Sequence, residues 1–459
     1  MDGGVMGGFM MGERFEEERP VCVLAQAAME RLLASEVIDQ LFANQAQQQY
    51  QRSLLFSSAA RLMASVVLGW QPSVNAAYKR MKEEVGVSVT ALYGKLDRME
   101  AGLSQALVRH SYRQLCETAP PPTEALVAGY HAKVLDGNHL AATEHRLLET
   151  RNSTAAPLPG KLLVVLDAAR RAIADVFPLV DGHAQERSSL DPVIETIQPD
   201  ELWLCDRNFC TLKFLYQCQQ RDAKFAVRLH QQLQGERVGP RIARGQTATG
   251  RVYEQRLKLP TYNGQTLTVR CVEIELFEPT RDGETVITIL TNLTVEEADA
   301  CAVAEIYRER WTIETAFLHL TTTLQCEIRT LCYPKAAIFA FSLACVAYNA
   351  VQLTLAAIRA EHGAEKTESM SFYYVGLEIA QAHDGMMVAV ESDYWAAFRE
   401  LPPRAYFSRL RKIAKHVDFS LYRKATRGPK KPKPKPKHNR REVHVSSARL
   451  LAARRKSAC

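Results

Sequence analysis

The stretch His131-Ala132-Lys133-Val134-Leu135-Asp136-Gly137-Asn138 sets a short apolar run directly before an aspartate and a glycine. His131 to Leu135 is read as a strand, with Asp136 standing at its end and Gly137 letting the backbone turn. Four similar runs follow: Lys161 to Leu166, Asp175 to Leu179, Glu201 to Cys205 and Lys224 to Leu229. A helical stretch, Asp191 to Gln198, separates the third from the fourth, and another, Thr211 to Arg221, separates the fourth from the fifth. The order is β, β, β, α, β, α, β. Three strands on short connections followed by strand-helix alternation describe a mixed sheet covered by helices.

Working outward, residues from about Val21 to Leu115 carry helical periodicity, and Ala119-Pro120-Pro121-Pro122 ends that region, because consecutive prolines cannot continue a helix. Within it, Ser73 to Glu84 reads as one helix, Val85-Gly86-Val87 as a tight turn, and Ser88 as the N-cap of a second helix to about Met99. This is a helix-turn-helix pattern whose exposed positions, Thr90, Tyr93, Lys95 and Arg98, have the chemistry to touch DNA; a plain helical hairpin has the same pattern. Downstream, about Glu236 to Thr294 is β-rich, with turns at Tyr262-Asn263-Gly264 and Arg281-Asp282-Gly283, and reads as an insertion. A long helix is expected from Val295 to about Leu324, with Thr294 as cap and Glu296 and Glu297 in its first turn. The expected units are 1–20, a disordered N-terminus; 21–122, a helical DNA-binding domain; 123–235, the first part of the sheet core; 236–294, the β-rich insertion; 295–360, the remaining core helices; 361–427, a helical region; and 428–459, a basic disordered tail.

Composition narrows the function. The 459 residues are 47% hydrophobic and 24% charged, which excludes collagen-like, wholly disordered and disulfide-scaffold chains. The net charge of +7 is concentrated late: Arg423 to Cys459 holds 14 basic residues against one acid, Glu442. The Lys-Pro alternation from Pro429 to Lys437 is extended and solvated in character. Eleven cysteines at irregular spacing fit reduced thiols. The N-terminus has four glutamates and no signal-peptide pattern. Ala336 to Ile358 is uncharged and long enough to span a bilayer, but Ser342, Tyr348, Asn349, Gln352 and Thr354 interrupt it, so it is read as a buried core helix and no membrane is expected. Gly245 to Val252 has the glycines of a phosphate loop without its Lys or its Ser/Thr contacts, and Cys205, Cys210, Cys218 and His230 lack zinc-site spacing, so neither nucleotide nor zinc binding is expected there.

The strand order is that of a ribonuclease-H-like fold, in which phosphodiester chemistry uses carboxylates on the first strand, the fourth strand and a later helix, because paired Mg²⁺ ions need anionic oxygens converging from different elements. Asp136 and Asp206 stand at the first two places. Asp167 competes for the first role, but choosing it leaves one strand rather than two before the first helix. The third acid is Glu314 in Ile306-Tyr307-Arg308-Glu309-Arg310-Trp311-Thr312-Ile313-Glu314, where Tyr307, Arg310 and Glu314 share a helix face at i, i+3 and i+7. Ile306, Trp311, Ile313 and Phe317 make much of this helix a buried one.

The strand aspartate with Gly137, the Asp206-Arg207 strand end, the β-rich insertion and Tyr-x-x-Arg-x-x-x-Glu together resemble the DDE transposases of bacterial insertion sequences, specifically the fourth insertion-sequence family with its Tyr-Arg-Glu-Lys signature. Tyr422-Arg423-Lys424, Arg427-Gly428-Pro429-Lys430-Lys431-Pro432 and His444 to Leu451 are similar to that family as well. The resemblance implies that Asp136, Asp206 and Glu314 bind two Mg²⁺ ions, with Mn²⁺ as substitute, while Tyr307 and Arg310 hold the phosphate backbone of the element's end. It implies cut-and-paste transposition in the bacterial cytoplasm, at the nucleoid, on double-stranded DNA, by a homodimer that brings two ends together. Lys430 and Lys431 would add non-specific phosphate affinity. Two departures stand out. Thr321 occupies the place of the signature Lys, with Arg329 as a possible cover, and none of Trp70, Trp203, Trp311 and Trp395 lies in the insertion, where Tyr253, Tyr262 or Phe277 would have to stack a flipped base in a hairpin route. The alternatives are a nuclease of the same fold without strand transfer and a DNA-binding derivative that has lost catalysis.

Overall fold

The structure is a computed structural model, and it describes residues 3–49, 51–121, 124–280, 282–425 and 444–458. The chain opens with eight helices: α1 Gly3–Glu18, α2 Pro20–Leu32, α3 Ser35–Gln45, α4 Phe56–Val67, α5 Val74–Arg80, α6 Lys82–Val85, α7 Val89–Leu96 and α8 Ala101–Thr118. Residues 1–20, expected to be disordered, thus form a helix over most of their length. It is held because Glu16 is buried and accepts hydrogen bonds from the Tyr394 hydroxyl and the Arg409 guanidinium. The first helix of the expected pair is interrupted at Met81, Gly86 takes a left-handed φ of 63° to end α6, and the Ser88 hydroxyl caps α7 by accepting from Ala91 N at 3.2 Å.

The sheet strands follow: β1 His131–His139, β2 Ala156–Leu158, β3 Lys161–Asp167, β4 Ala172–Leu179, then α9 Asp191–Ile194, β5 Glu201–Cys205, α10 Leu212–Gln220 and β6 Lys224–Arg228. The four strands β7 Glu236–Gln246, β8 Gly250–Lys258, β9 Thr268–Leu276 and β10 Val286–Thr291 complete it. Among the described residues the sheet has nine strands in the order β4-β3-β1-β5-β6-β10-β9-β8-β7. β1 is antiparallel to β3 and parallel to β5, β3 is antiparallel to β4, and β5 is parallel to β6. The β-rich stretch is therefore no separate block. β10 pairs antiparallel with β6 and carries the core sheet onward. Asn263 and Gly264, at φ 50° and 76°, form the tight turn expected in the β8–β9 connection.

The expected long helix is two, α11 Ala300–Arg308 and α12 Trp311–Thr322. Thr294 and Glu297 do exchange capping hydrogen bonds (2.7 and 3.2 Å), but that turn is not continued, and Asp299 caps α11 instead. Next comes α13 Pro334–His362, long and apolar enough to cross a membrane but packed inside the protein against α2, α4, α8 and α17. Its Asn349, wholly buried, is satisfied by Ile173 and Ser111, which ties the helical shell to β4. α14 Ala364–Glu368, α15 Phe372–Ala389, α16 Ser392–Glu400 and α17 Pro403–Ala414 complete the shell. Part of the tail expected to be disordered is ordered: β11 His444–Ser446 pairs with β2, and α18 Ser447–Ala458 docks through Arg449 on Asp181 at 2.9 Å. Lys430 and Lys431 lie outside the described residues.

Candidate active site

β1 and β5 are buried along their apolar residues, and a one-residue slip would turn those residues to the wrong face, so their parallel register is fixed. That register pairs Leu135 with Cys205. Asp136 and Asp206, the next residue on each strand, therefore emerge side by side. Strand β1 does not end at Asp136 but continues to His139. Gly137 consequently serves packing rather than a turn: a Cβ there would meet the Glu186 carboxyl at 2.5 Å. A side chain there would have to push that carboxyl aside.

The third acid arrives through the junction of α11 and α12. Residues 306–312 tighten into i to i+3 hydrogen bonds, Glu309 N to Ile306 O at 3.1 Å, Arg310 N to Tyr307 O at 3.1 Å and Thr312 N to Glu309 O at 3.0 Å. Tyr307, Arg310 and Glu314 nonetheless face the strand ends together. The buried Tyr307 hydroxyl donates to the carbonyl oxygen of Cys205 at 3.3 Å, pinning α11 to the last residue of β5. The buried Arg310 guanidinium bridges the acids, Nη1 to Asp136 Oδ2 at 3.2 Å and Nη2 to Glu314 Oε1 at 2.9 Å. Burial pushes the Asp136 carboxyl up to about 6 against the pull of Arg310, and the negative charges of Asp206 and Glu314 add to the rise. Such crowding of like charges marks a functional site more often than a structural one.

Hard carboxylate oxygens are the donors that Mg²⁺ and Mn²⁺ prefer, so the donor set fits a divalent cation in kind. Among the described residues no three acids, histidines or cysteines stand close enough together to hold one ion. The Arg310 guanidinium lies between Asp136 and Glu314 and is the cation that neutralises them here.

The comparisons with known proteins bear on this arrangement. Residues 161–350 match the family model of the transposase DDE domain. The DDE-domain segment includes Asp206, Tyr307, Arg310 and Glu314, and it starts after Asp136. Among solved structures the chain is similar to a piggyBac transposase synaptic complex with hairpin DNA, at 8% identity and a TM-score of 0.37, over 91% of this chain and 88% of that one. No curated protein matches the chain.

Other expected residues are placed less favourably around the DDE-domain segment. Thr90 and Arg98 are exposed, but Lys95 turns inward, its ammonium 5.0 Å from the centre of the Phe42 ring and donating to Leu54 O at 3.4 Å; Tyr93 is half-buried. Asp167 lies three residues back along the strands from Asp136, facing Lys133 across β1 and β3. Thr321 is exposed and spends its hydroxyl on its own helix, bonding Phe317 O at 2.9 Å and Leu318 O at 3.1 Å. Arg329 is exposed beside Glu327. Of the three aromatics considered for stacking, Tyr253 lies under the Arg241 guanidinium, Tyr262 packs on Tyr216, and Phe277 is 52% exposed. Cys205, Cys210 and Cys218 are buried and burial raises their thiol pKa values, as core cysteines should behave.

Two features went unread in the sequence. Trp311, expected to be buried, is 54% exposed, with the Arg310 guanidinium 4.7 Å from its ring centre. Glu186 reaches Gly137 and lies 3.9 Å from His139. The glycine after Asp136 was the available signal for a neighbour there, but not for which one.

Proposed function

We propose that this chain is a transposase that binds the terminal inverted repeats of an insertion sequence, cleaves the DNA ends and joins them to target DNA. The observation that carries this reading is the convergence of Asp136, Asp206 and Glu314 on one end of the sheet, two of them inside the segment matching the transposase DDE domain. The order and directions of β4-β3-β1-β5-β6 support a ribonuclease-H-like core beneath them.

In this reading the three carboxylates would hold two divalent cations, Mg²⁺ or Mn²⁺, once the Arg310 fork moves off Asp136 and Glu314, and the cations would supply a Lewis acid for the scissile phosphate and an activated water or 3′-hydroxyl. The remaining work falls to the chain itself. Arg310 balances the acids before they are engaged, and its planar fork is a bidentate donor to a backbone phosphate. Tyr307 keeps the α11–α12 junction against the end of β5. Trp311 offers an exposed ring beside the site on which a base can stack. Thr90 and Arg98 on and just after α7 face outward toward an element end. Two ends require two copies, which makes the DNA-bound form a homodimer.

A second reading has its own observation: Thr321 makes no outward contact where a lysine is expected, as in a DNA-binding derivative whose catalysis has weakened. One assay separates the readings. Linear DNA carrying the terminal repeats is incubated with Mg²⁺ or Mn²⁺ and with wild type, Glu314→Ala or Thr321→Lys, and pre-cut ends are supplied with a target plasmid. Metal-dependent nicking at the repeat boundary and joining to plasmid, both lost in Glu314→Ala, support the transposase; cleavage without joining leaves a nuclease, and intact DNA binding with no cleavage by wild type leaves the derivative.

A further inference from the structure

A cavity of about 880 Å³ lies between α12, α13, α15 and the segment around Lys424, on a different face of α12 from Glu314. Volumes of this size hold a ligand of nucleotide dimensions. Its wall carries the polar residues His319, Thr323 and Arg359. His319 Nδ1, Thr323 Oγ1 and Arg359 Nε are all buried and make no hydrogen bond among the described residues.

Three cations face two carboxylates, a small positive excess. Arg171 and Arg359 both reach the cavity, where burial first and the nearby Arg171 second disfavour the charge on Arg359, and Lys424 is a third cation. Against them stand two carboxylates, Glu368, 3.7 Å from Arg171, and Glu309. Arg171 is held there by an unusual backbone, a left-handed φ of 52° in the turn from β3 to β4. At the rim Tyr373 and Tyr374 are both exposed, their rings edge to face at 5.5 Å, while His319 lies flat on Phe372 at 4.0 Å between ring centres.

We propose that this cavity binds a phosphate-bearing nucleotide unit, with Arg171 and Arg359 receiving the phosphate and Tyr373 and Tyr374 stacking the base. Guanidinium pairs suit phosphate and aromatic rings suit bases of any identity. The unit is either a free nucleotide or one nucleotide of a DNA strand. The site shares no residue with the acid cluster and stands whether or not the chain transposes DNA.

The test is calorimetric titration of the full chain with AMP and with inorganic phosphate, on wild type, Arg359→Gln and Tyr373→Ala. Wild type is expected to bind AMP more tightly than phosphate. Arg359→Gln weakens both by on the order of tenfold, and Tyr373→Ala weakens AMP alone. A ten-residue single-stranded oligonucleotide that displaces AMP assigns the occupant to a DNA strand; failure to displace it assigns a free nucleotide. No binding of either probe by wild type, or AMP affinity unchanged in both Arg359→Gln and Tyr373→Ala, overturns the proposal. Should melting show that Arg359→Gln is unfolded, Tyr373→Ala, which alters an exposed ring, decides alone.

Discussion

Asp136 and Asp167 follow similar apolar runs on neighbouring strands, yet they lead opposite lives. β1 and β3 are antiparallel, so Asp136 faces Val164 while Asp167 faces Lys133, at the level of Trp203 in β5 rather than of Asp206. Asp167 is enclosed and satisfied: it accepts from the Tyr112 hydroxyl at 2.5 Å and from Arg170 N at 3.0 Å, with the Arg170 guanidinium at 3.8 Å. Asp136 shares one guanidinium with Glu314 and is crowded by two other acids. A strand aspartate becomes a structural anchor or a reactive group according to the end of the sheet it reaches, and the direction of its strand decides which.

The comparison is open to attack from both ends. The largest effect is expected at the acid cluster: Glu314→Ala or Asp136→Asn should lower metal-dependent cleavage of terminal-repeat DNA by at least about a thousandfold while leaving the melting temperature near that of wild type. Cleavage surviving in both variants would remove the distinction between the ends. Asp167→Ala should do the converse. It strands a buried tyrosine hydroxyl and an arginine, at a cost of about 2–4 kcal/mol of stability in denaturant unfolding, with the cleavage rate per folded molecule unchanged.

The anchored end should also respond to acid. His110 on α8, the helix packed on β4, is buried, and burial together with Arg113 depresses its imidazole to about 4. A depressed histidine leaves the native state binding fewer protons than the unfolded chain between about 4 and 6.5, so its contribution is present above 6.5 and lost as pH falls. Roughly 3 kcal/mol should go over that window in wild type, and His110→Gln should flatten the slope. The smallest effect belongs to Thr321→Lys, which should tighten binding to duplex ends by about two- to fivefold and steepen the salt dependence by about one ion. An unchanged salt slope would show that position 321 does not face the DNA.

The residue pattern revealed more of the sheet than of the helices. All five core strands were readable from their apolar runs, because burial on both faces leaves little room for polar residues, and Asp136 and Asp206 followed from strand order alone. Helical periodicity could not reveal the break at Glu309 and Arg310, since both residues keep near-helical dihedrals and only the hydrogen bonds shorten. It equally failed to show that Trp311 faces solvent, because an aromatic beside Ile306 and Ile313 looks like core until the neighbouring elements are in place. Lys95 was misread for a related reason: its charge suggested an outward tip, whereas its ammonium lies over the Phe42 ring. The order of residues 1–20 depended on Glu16 meeting Tyr394 and Arg409, partners nearly four hundred residues away.

The hydrogen bonds between β10 and β6 have a practical consequence for anyone who would dissect this chain. Excising residues 236–294 to isolate a smaller catalytic unit would not trim an appendage. It would strip β6 of its neighbour and leave a bare row of amide and carbonyl groups one strand away from Asp206, the kind of open edge through which proteins stick to one another. What entered the sequence as an addition has become a seal, and a soluble fragment must keep it.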